Sequence, residues 1–97
     1  MTEIQDAARQ LANLYNQSFG GKPKGRYRMA SKQVRELLGR KRLYEDDVRM
    51  LTRACLEEGI VLIDMDSFFV ALSANAFVNY RRVSADALTN AKKPDRA

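Results

Sequence analysis

The reading of the fold turns on residues 31–71, SKQVRELLGRKRLYEDDVRMLTRACLEEGIVLIDMDSFFVA. Ser31 stands where a helix N-cap belongs, and Val34, Leu37 and Leu38 give a two-turn apolar face closed by Gly39, which predicts a short helix. After the basic turn Arg40-Lys41-Arg42, the acidic run Glu45-Asp46-Asp47 suits the positive end of a helix dipole. Val48, Leu51, Thr52, Cys55 and Leu56 then repeat a helical stripe that Gly59 ends, predicting a longer helix that starts near Tyr44. From Ile60 the texture becomes β-branched and aromatic. IVLIDM and FFVAL read as two strands around a very short turn at Asp66-Ser67, a hairpin directly after a helix.

Upstream, Ile4, Ala7, Ala8, Leu11, Leu14 and Tyr15 follow the i, i+3, i+4, i+7 spacing of an amphipathic helix over residues 2–18, with Thr2 as its N-cap. That helix is expected to end near Phe19, with Gly20-Gly21 as C-cap and Pro23 unable to continue it. Gly20–Gly25 reads as a loop, and Arg26–Ala30 alternates so that Tyr27 and Met29 share one face of a short strand. Downstream, Ala74, Phe77 and Val78 fit a short helix capped by Ser73, while Phe77, Val78 and Tyr80 also allow a strand; the helix is the preferred reading. Residues 1–84 are read as one domain and 85–97 as a frayed or disordered tail. The class expected is α+β, mainly α.

Ninety-seven residues with 45% hydrophobic and 30% charged side chains suit a single small domain. No apolar run approaches the ~20 residues of a membrane-spanning helix, and the N-terminus lacks a secretory leader's basic start and apolar stretch, so a cytoplasmic location is expected. The chain has no histidine and one cysteine, which removes the commonest general base and leaves no zinc ligand set. Cys55 lies within the apolar stripe and reads as a buried hydrophobe. Asp64 and Asp66 share one side of a strand, a spacing that a metal could use, but they read as solvated turn formers. Gly20-Gly21-Lys22-Pro23-Lys24-Gly25 has neither the P-loop nor the dinucleotide spacing. No enzyme, cofactor or metal is expected.

The net charge of +5 conceals a strong division. Residues 20–43 carry nine basic groups, Lys22, Lys24, Arg26, Arg28, Lys32, Arg35, Arg40, Lys41 and Arg42, against Glu36 alone. Residues 44–70 carry seven acidic groups against Arg49 and Arg53. The basic segment also contains Tyr27 and flexible glycines, a composition suited to an anionic partner.

The element order, together with Leu38-Gly39, then Leu56-Glu57-Glu58-Gly59-Ile60, then Phe68-Phe69-Val70-Ala71, resembles winged helix-turn-helix transcription regulators over about residues 26–72. The resemblance is at superfamily level. It implies that the helix from Tyr44 enters the DNA major groove while the preceding helix and the wing meet phosphates. Carried over by position, Arg49 and Arg53 become base-reading or phosphate-contacting candidates. Ser31, Lys32 and Arg35 fall at the backbone-contacting start of the second helix. Two features depart from the family pattern: Glu45-Asp46-Asp47 front the recognition helix, and the hairpin turn Asp64-Met65-Asp66-Ser67 is short and acidic. The charge distribution points instead to a shifted docking mode through Lys22, Lys24, Arg26 and Arg28 and through Arg40, Lys41 and Arg42.

The function expected is a small double-stranded-DNA-binding protein, a transcriptional regulator or a plasmid- or phage-type factor, nucleoid-associated and homodimeric. One module of this size buries only ~600–1,000 Å² on DNA, which favours two copies. Phe68, Phe69, Phe77 and Tyr80 are read mainly as core, with some available to a subunit interface. The alternative is a winged-helix module that binds an acidic protein partner. RNA binding ranks below both, because the aromatic and glycine signature of a base-stacking sheet is missing.

Overall fold

The computed structural model describes residues 3–92. In chain order these form helix α1 (Glu3–Tyr15), strand β1 (Tyr27–Ala30), helices α2 (Ser31–Leu37) and α3 (Glu45–Glu57), strands β2 (Ile60–Asp64) and β3 (Phe68–Ser73), a 3-10 turn (Ala74–Phe77) and helix α4 (Ala85–Lys92). The fold is α+β. Helix, short strand, two helices and hairpin follow one another as the sequence reading expects.

Strand β3 is central, antiparallel to β1 on one side and to β2 on the other. Tyr27 stands opposite Ala71, and Leu62 opposite Ala71 from the other side. Strand alternation sends Tyr27, Ile60, Leu62, Phe69 and Ala71 to one face, where all five are buried. A slip of one residue would turn this set outward, so burial fixes the register. Helix α1 covers that face with Ile4, Ala7, Ala8 and Leu11, and α3 with Leu51, Ala54 and Cys55. Val34 and Leu38 close the core from the α2 side. The apolar stripes read from the sequence meet here, except that Leu56, expected on the α3 stripe, is exposed while Ala54 is buried. Leu11, Leu38, Leu51 and Phe69 are each fully buried, worth about 1.5–3 kcal/mol apiece relative to exposure.

The structure differs from the sequence reading at several boundaries. Helix α1 ends at Tyr15, not near Phe19. Asn16 and Gln17 N–H groups donate back to the Asn13 and Leu14 carbonyls, closing the helix with tight i→i−3 bonds. Gly20-Gly21 is therefore not its C-cap but the centre of the following turn. The N-cap of α2 is Ala30, not Ser31; the Ala30 N–H donates to Gln33 Oε1 at 3.0 Å, so Gln33 supplies the capping group. Ser73 caps a 3-10 turn rather than an α-helix, its Oγ accepting from the Asn75 N–H. Of the four aromatics expected mainly in the core, Phe69 is buried, Phe68 and Phe77 are half-buried and Tyr80 is exposed. Residues 85–92, within the stretch expected to be frayed, form α4, which buries none of its side chains. The remainder of that stretch, residues 93–97, and the Thr2 cap lie outside the described residues.

Candidate nucleic-acid interface

The basic residues singled out from the sequence fall into three clusters. In the first, Phe19 and Lys22 exchange two backbone hydrogen bonds of 3.1 Å across Gly20 and Gly21, whose φ values of +62° and +77° fit a primed two-residue turn. Both positions favour glycine because side chains disfavour positive φ. The Ser18 hydroxyl donates to the Lys22 carbonyl at 3.1 Å, and the Gly25 N–H donates to the Tyr15 carbonyl at 3.0 Å, tying the loop to the end of α1. Lys22, Lys24, Arg26 and Arg28 line an open cleft of about 910 Å³ together with Tyr15, Phe19 and Tyr27. The Tyr27 hydroxyl donates to the Leu11 carbonyl at 2.7 Å; burial above all, with Cys55 nearby, holds its phenol well above the ordinary range. The Arg28 guanidinium extends over the Phe68 ring at 5.7 Å on the outer face of the sheet.

The second cluster lies at the other end of β1. Ser31, Arg35, Lys41 and Arg42 line a cleft of about 390 Å³ with Asp64 and Asp66 of the hairpin. Asp64 Oδ1 accepts from the Asp66 N–H at 2.8 Å, which supports a φ of +78° at Asp66. The Ser31 hydroxyl donates to the Asp66 carbonyl at 2.9 Å, and the Ser31 N–H to the Ser67 carbonyl at 3.2 Å. These bonds fasten the hairpin turn to the start of α2. Ser31 thus commits its hydroxyl proton inside the protein, while Lys32, exposed on the same helix, lies outside this cleft.

The third cluster groups Arg40, Arg49 and Arg53 along a groove of about 610 Å³ between the start of α1 and α3, with Glu3 and Glu57 also on its walls. Arg40 is committed inward: its Nε lies 3.3 Å from Asp47 Oδ1, in an ion pair without hydrogen-bond geometry, and its Nη1 lies 4.0 Å from Glu3. Asp47 is buried and also accepts from the Tyr44 N–H at 3.2 Å, capping α3. Asp46 pairs with Arg49 at 2.9 Å between two exposed side chains. Of the three acidic residues at the front of α3, Glu45 alone faces solvent without an ionic or hydrogen-bond partner among the described residues.

Comparison of the chain with protein-family models, curated proteins and solved structures gives no match. Chemistry at the three clusters therefore rests on their own residues. Of the nine basic residues from Lys22 to Arg42, only Arg40 makes an ion pair among the described residues. The other eight cations on this short segment make no ion pair among the described residues. No helix among the described residues is long and apolar enough to cross a membrane.

Two residues take roles here that the sequence reading does not give them, since it takes Phe19 as the end of the first helix and Asp47 as one of three acidic side chains at a helix start. Phe19 joins the first cluster through its turn, and Phe-Gly-Gly-Lys is a two-residue hairpin signal that could have revealed it. Asp47 is the capping group of α3, signalled by an acidic side chain three residues after the N-cap position.

Proposed function

We propose that this chain is a winged helix-turn-helix protein that binds double-stranded DNA, contacting phosphates through Lys32, Arg35, Lys41 and Arg42 and through the loop bearing Lys22, Lys24, Arg26 and Arg28. One observation carries the reading: none of these eight cations makes an ion pair among the described residues. Unneutralised like charge costs self-repulsion, and a polyphosphate that displaces its counterions onto the solvent relieves it. Arg53 and Arg49 on α3 are the candidates for reaching bases, with Arg49 first leaving Asp46. Sequestration of Asp47 in its pair with Arg40 lowers the repulsion that α3 would otherwise offer to a phosphate. The helix, strand, helix, helix, hairpin order is compatible with that family, and a homodimer would supply the contact area that one module lacks.

A second reading uses the same cations to grip an acidic protein partner. The exposed Glu45, Asp64 and Asp66 favour it, because they flank the α3 surface that DNA would approach. A gel shift with random duplex fragments separates the two readings. Wild-type protein is expected to shift duplex DNA, and Lys41→Ala with Arg42→Ala to weaken the shift strongly. No shift by folded wild-type protein would overturn the DNA reading.

A further inference from the structure

The cleft beside β1 differs from the other two basic clusters in presenting an aromatic ring on a braced turn. Phe19 is 44% exposed although it makes a T-shaped contact with Tyr27, with ring centroids 5.8 Å apart and planes at 68°. That contact leaves nearly half of the residue exposed, and Phe19 lines the cleft. The turn that carries it is closed by two backbone hydrogen bonds and tied to Tyr15 through Gly25, so little ordering is needed for a ligand to meet it. Lys22, Lys24 and Arg26 line the same cleft, are exposed and make no ion pair among the described residues. An anchoring role for Phe19 in the core would bury the ring, and a purely electrostatic grip on duplex phosphates would not use it, because bases in a duplex keep their faces stacked inward.

We propose that this cleft binds an unpaired nucleotide of a single-stranded nucleic acid, with the base stacked on Phe19 and the adjoining phosphates held by Lys22, Lys24 and Arg26. Open π-faces beside cations are the combination by which single strands are bound without strong sequence preference. The volume of about 910 Å³ falls within the usual range of ligand clefts, with room for a base and its sugar. The site deepens the nucleic-acid reading and rests on it in part: it shares the loop cations Lys22, Lys24 and Arg26 with the duplex surface and adds the Phe19 ring, while Lys41 and Arg42 at the opposite end of β1 serve the duplex alone. A protein with both surfaces would favour junctions, where duplex and single strand adjoin.

The test uses the full chain with labelled oligothymidylate, oligouridylate and a duplex of equal length, followed by fluorescence anisotropy at low salt. Phe19→Ala is expected to weaken single-strand binding about fivefold or more and to leave duplex binding within about twofold, since stacking on one aromatic side chain is worth ~1–3 kcal/mol per base, a factor of about 5 to 150. Phe19→Trp puts the only tryptophan into the chain. That variant is expected to keep single-strand affinity, and its emission to be quenched when the strand is added. Binding of both strands identifies a general single-strand site, and binding of oligothymidylate alone a DNA-strand site. An unchanged single-strand affinity in Phe19→Ala, equal losses on strand and duplex, or unquenched Phe19→Trp emission at saturation would each overturn the proposal. Tighter binding of a phosphotyrosine peptide in the same cleft would do so as well. Loss of duplex binding alone would count against the duplex reading and leave this one standing.

Discussion

Arg40 Nε lies 3.3 Å from Asp47 Oδ1, joining the turn after α2 to the first turn of α3. The pair divides the basic turn into two kinds of residue. Arg40 holds the two helices in their relative positions, whereas Lys41 and Arg42 point their charge into solvent.

Asp47→Ala removes both the ionic partner of Arg40 and the cap on the Tyr44 N–H. The expected loss is about 1–3 kcal/mol, combining a cap with a largely buried ion pair. Lys41→Ala touches neither and is expected to stay within about 0.5 kcal/mol of the wild type. Urea unfolding of the two variants measures the contrast, and equal stability would remove the structural role given to Asp47.

Lys41→Ala combined with Arg42→Ala is expected to weaken duplex binding without affecting folding. If both cations sit on phosphates, the slope of log affinity against log salt becomes shallower by about 2. Weakened binding with an unchanged slope would mean that these side chains read something other than phosphate. Titrations at three or more salt concentrations distinguish these outcomes.

Stability is expected to fall in alkali. Burial, with Glu58 adding to it, pushes the Cys55 thiol from 9.0 up to about 12, and burial raises the Tyr27 phenol further. An acid whose folded pKa is raised holds its proton in the native state while the unfolded chain loses it, so the unfolded state gains as pH rises. The contribution of Cys55 is therefore complete below about pH 9 and declines from there through about pH 12. Urea midpoints across that range test the sign. At neutral pH a thiol reagent is expected to leave native Cys55 unmodified and to titrate one thiol after unfolding.

The core was legible in the sequence because period does most of the work there. Leu11, Val34, Leu38, Leu51, Cys55 and Phe69 stand on the stripes that helical and strand spacing pick out, and they are the largest fully buried side chains. Caps were less legible, because Ser31 and Gln33 can both satisfy the start of a helix, and the hairpin turn draws the Ser31 hydroxyl away to Asp66. The end of α1 was set by a local turn that helical spacing alone does not show: Phe19 pairs with Lys22 across Gly20-Gly21 instead of extending the helix. The helical propensity of Ala85–Lys92 went unread because its composition is polar and no buried stripe marks it. Charge was legible residue by residue, and the group Lys22 to Arg28 with it, but the parting of Arg40 from Lys41 and Arg42 was not. Lys22 to Arg28, Arg35 with Lys41 and Arg42, and Arg40 with Arg49 and Arg53 are brought to three separate places only by the sheet and the α2–α3 turn.

The salt dependence of duplex binding tests the central claim most directly. Fluorescence anisotropy of wild-type protein on a random-sequence duplex, across a series of monovalent salt concentrations, gives the slope of log affinity against log salt. If four to six of the unpaired cations neutralise phosphates, that slope is expected to be about −4 to −5. A slope near zero, or no measurable binding at low salt, would contradict the assignment of this basic segment to DNA.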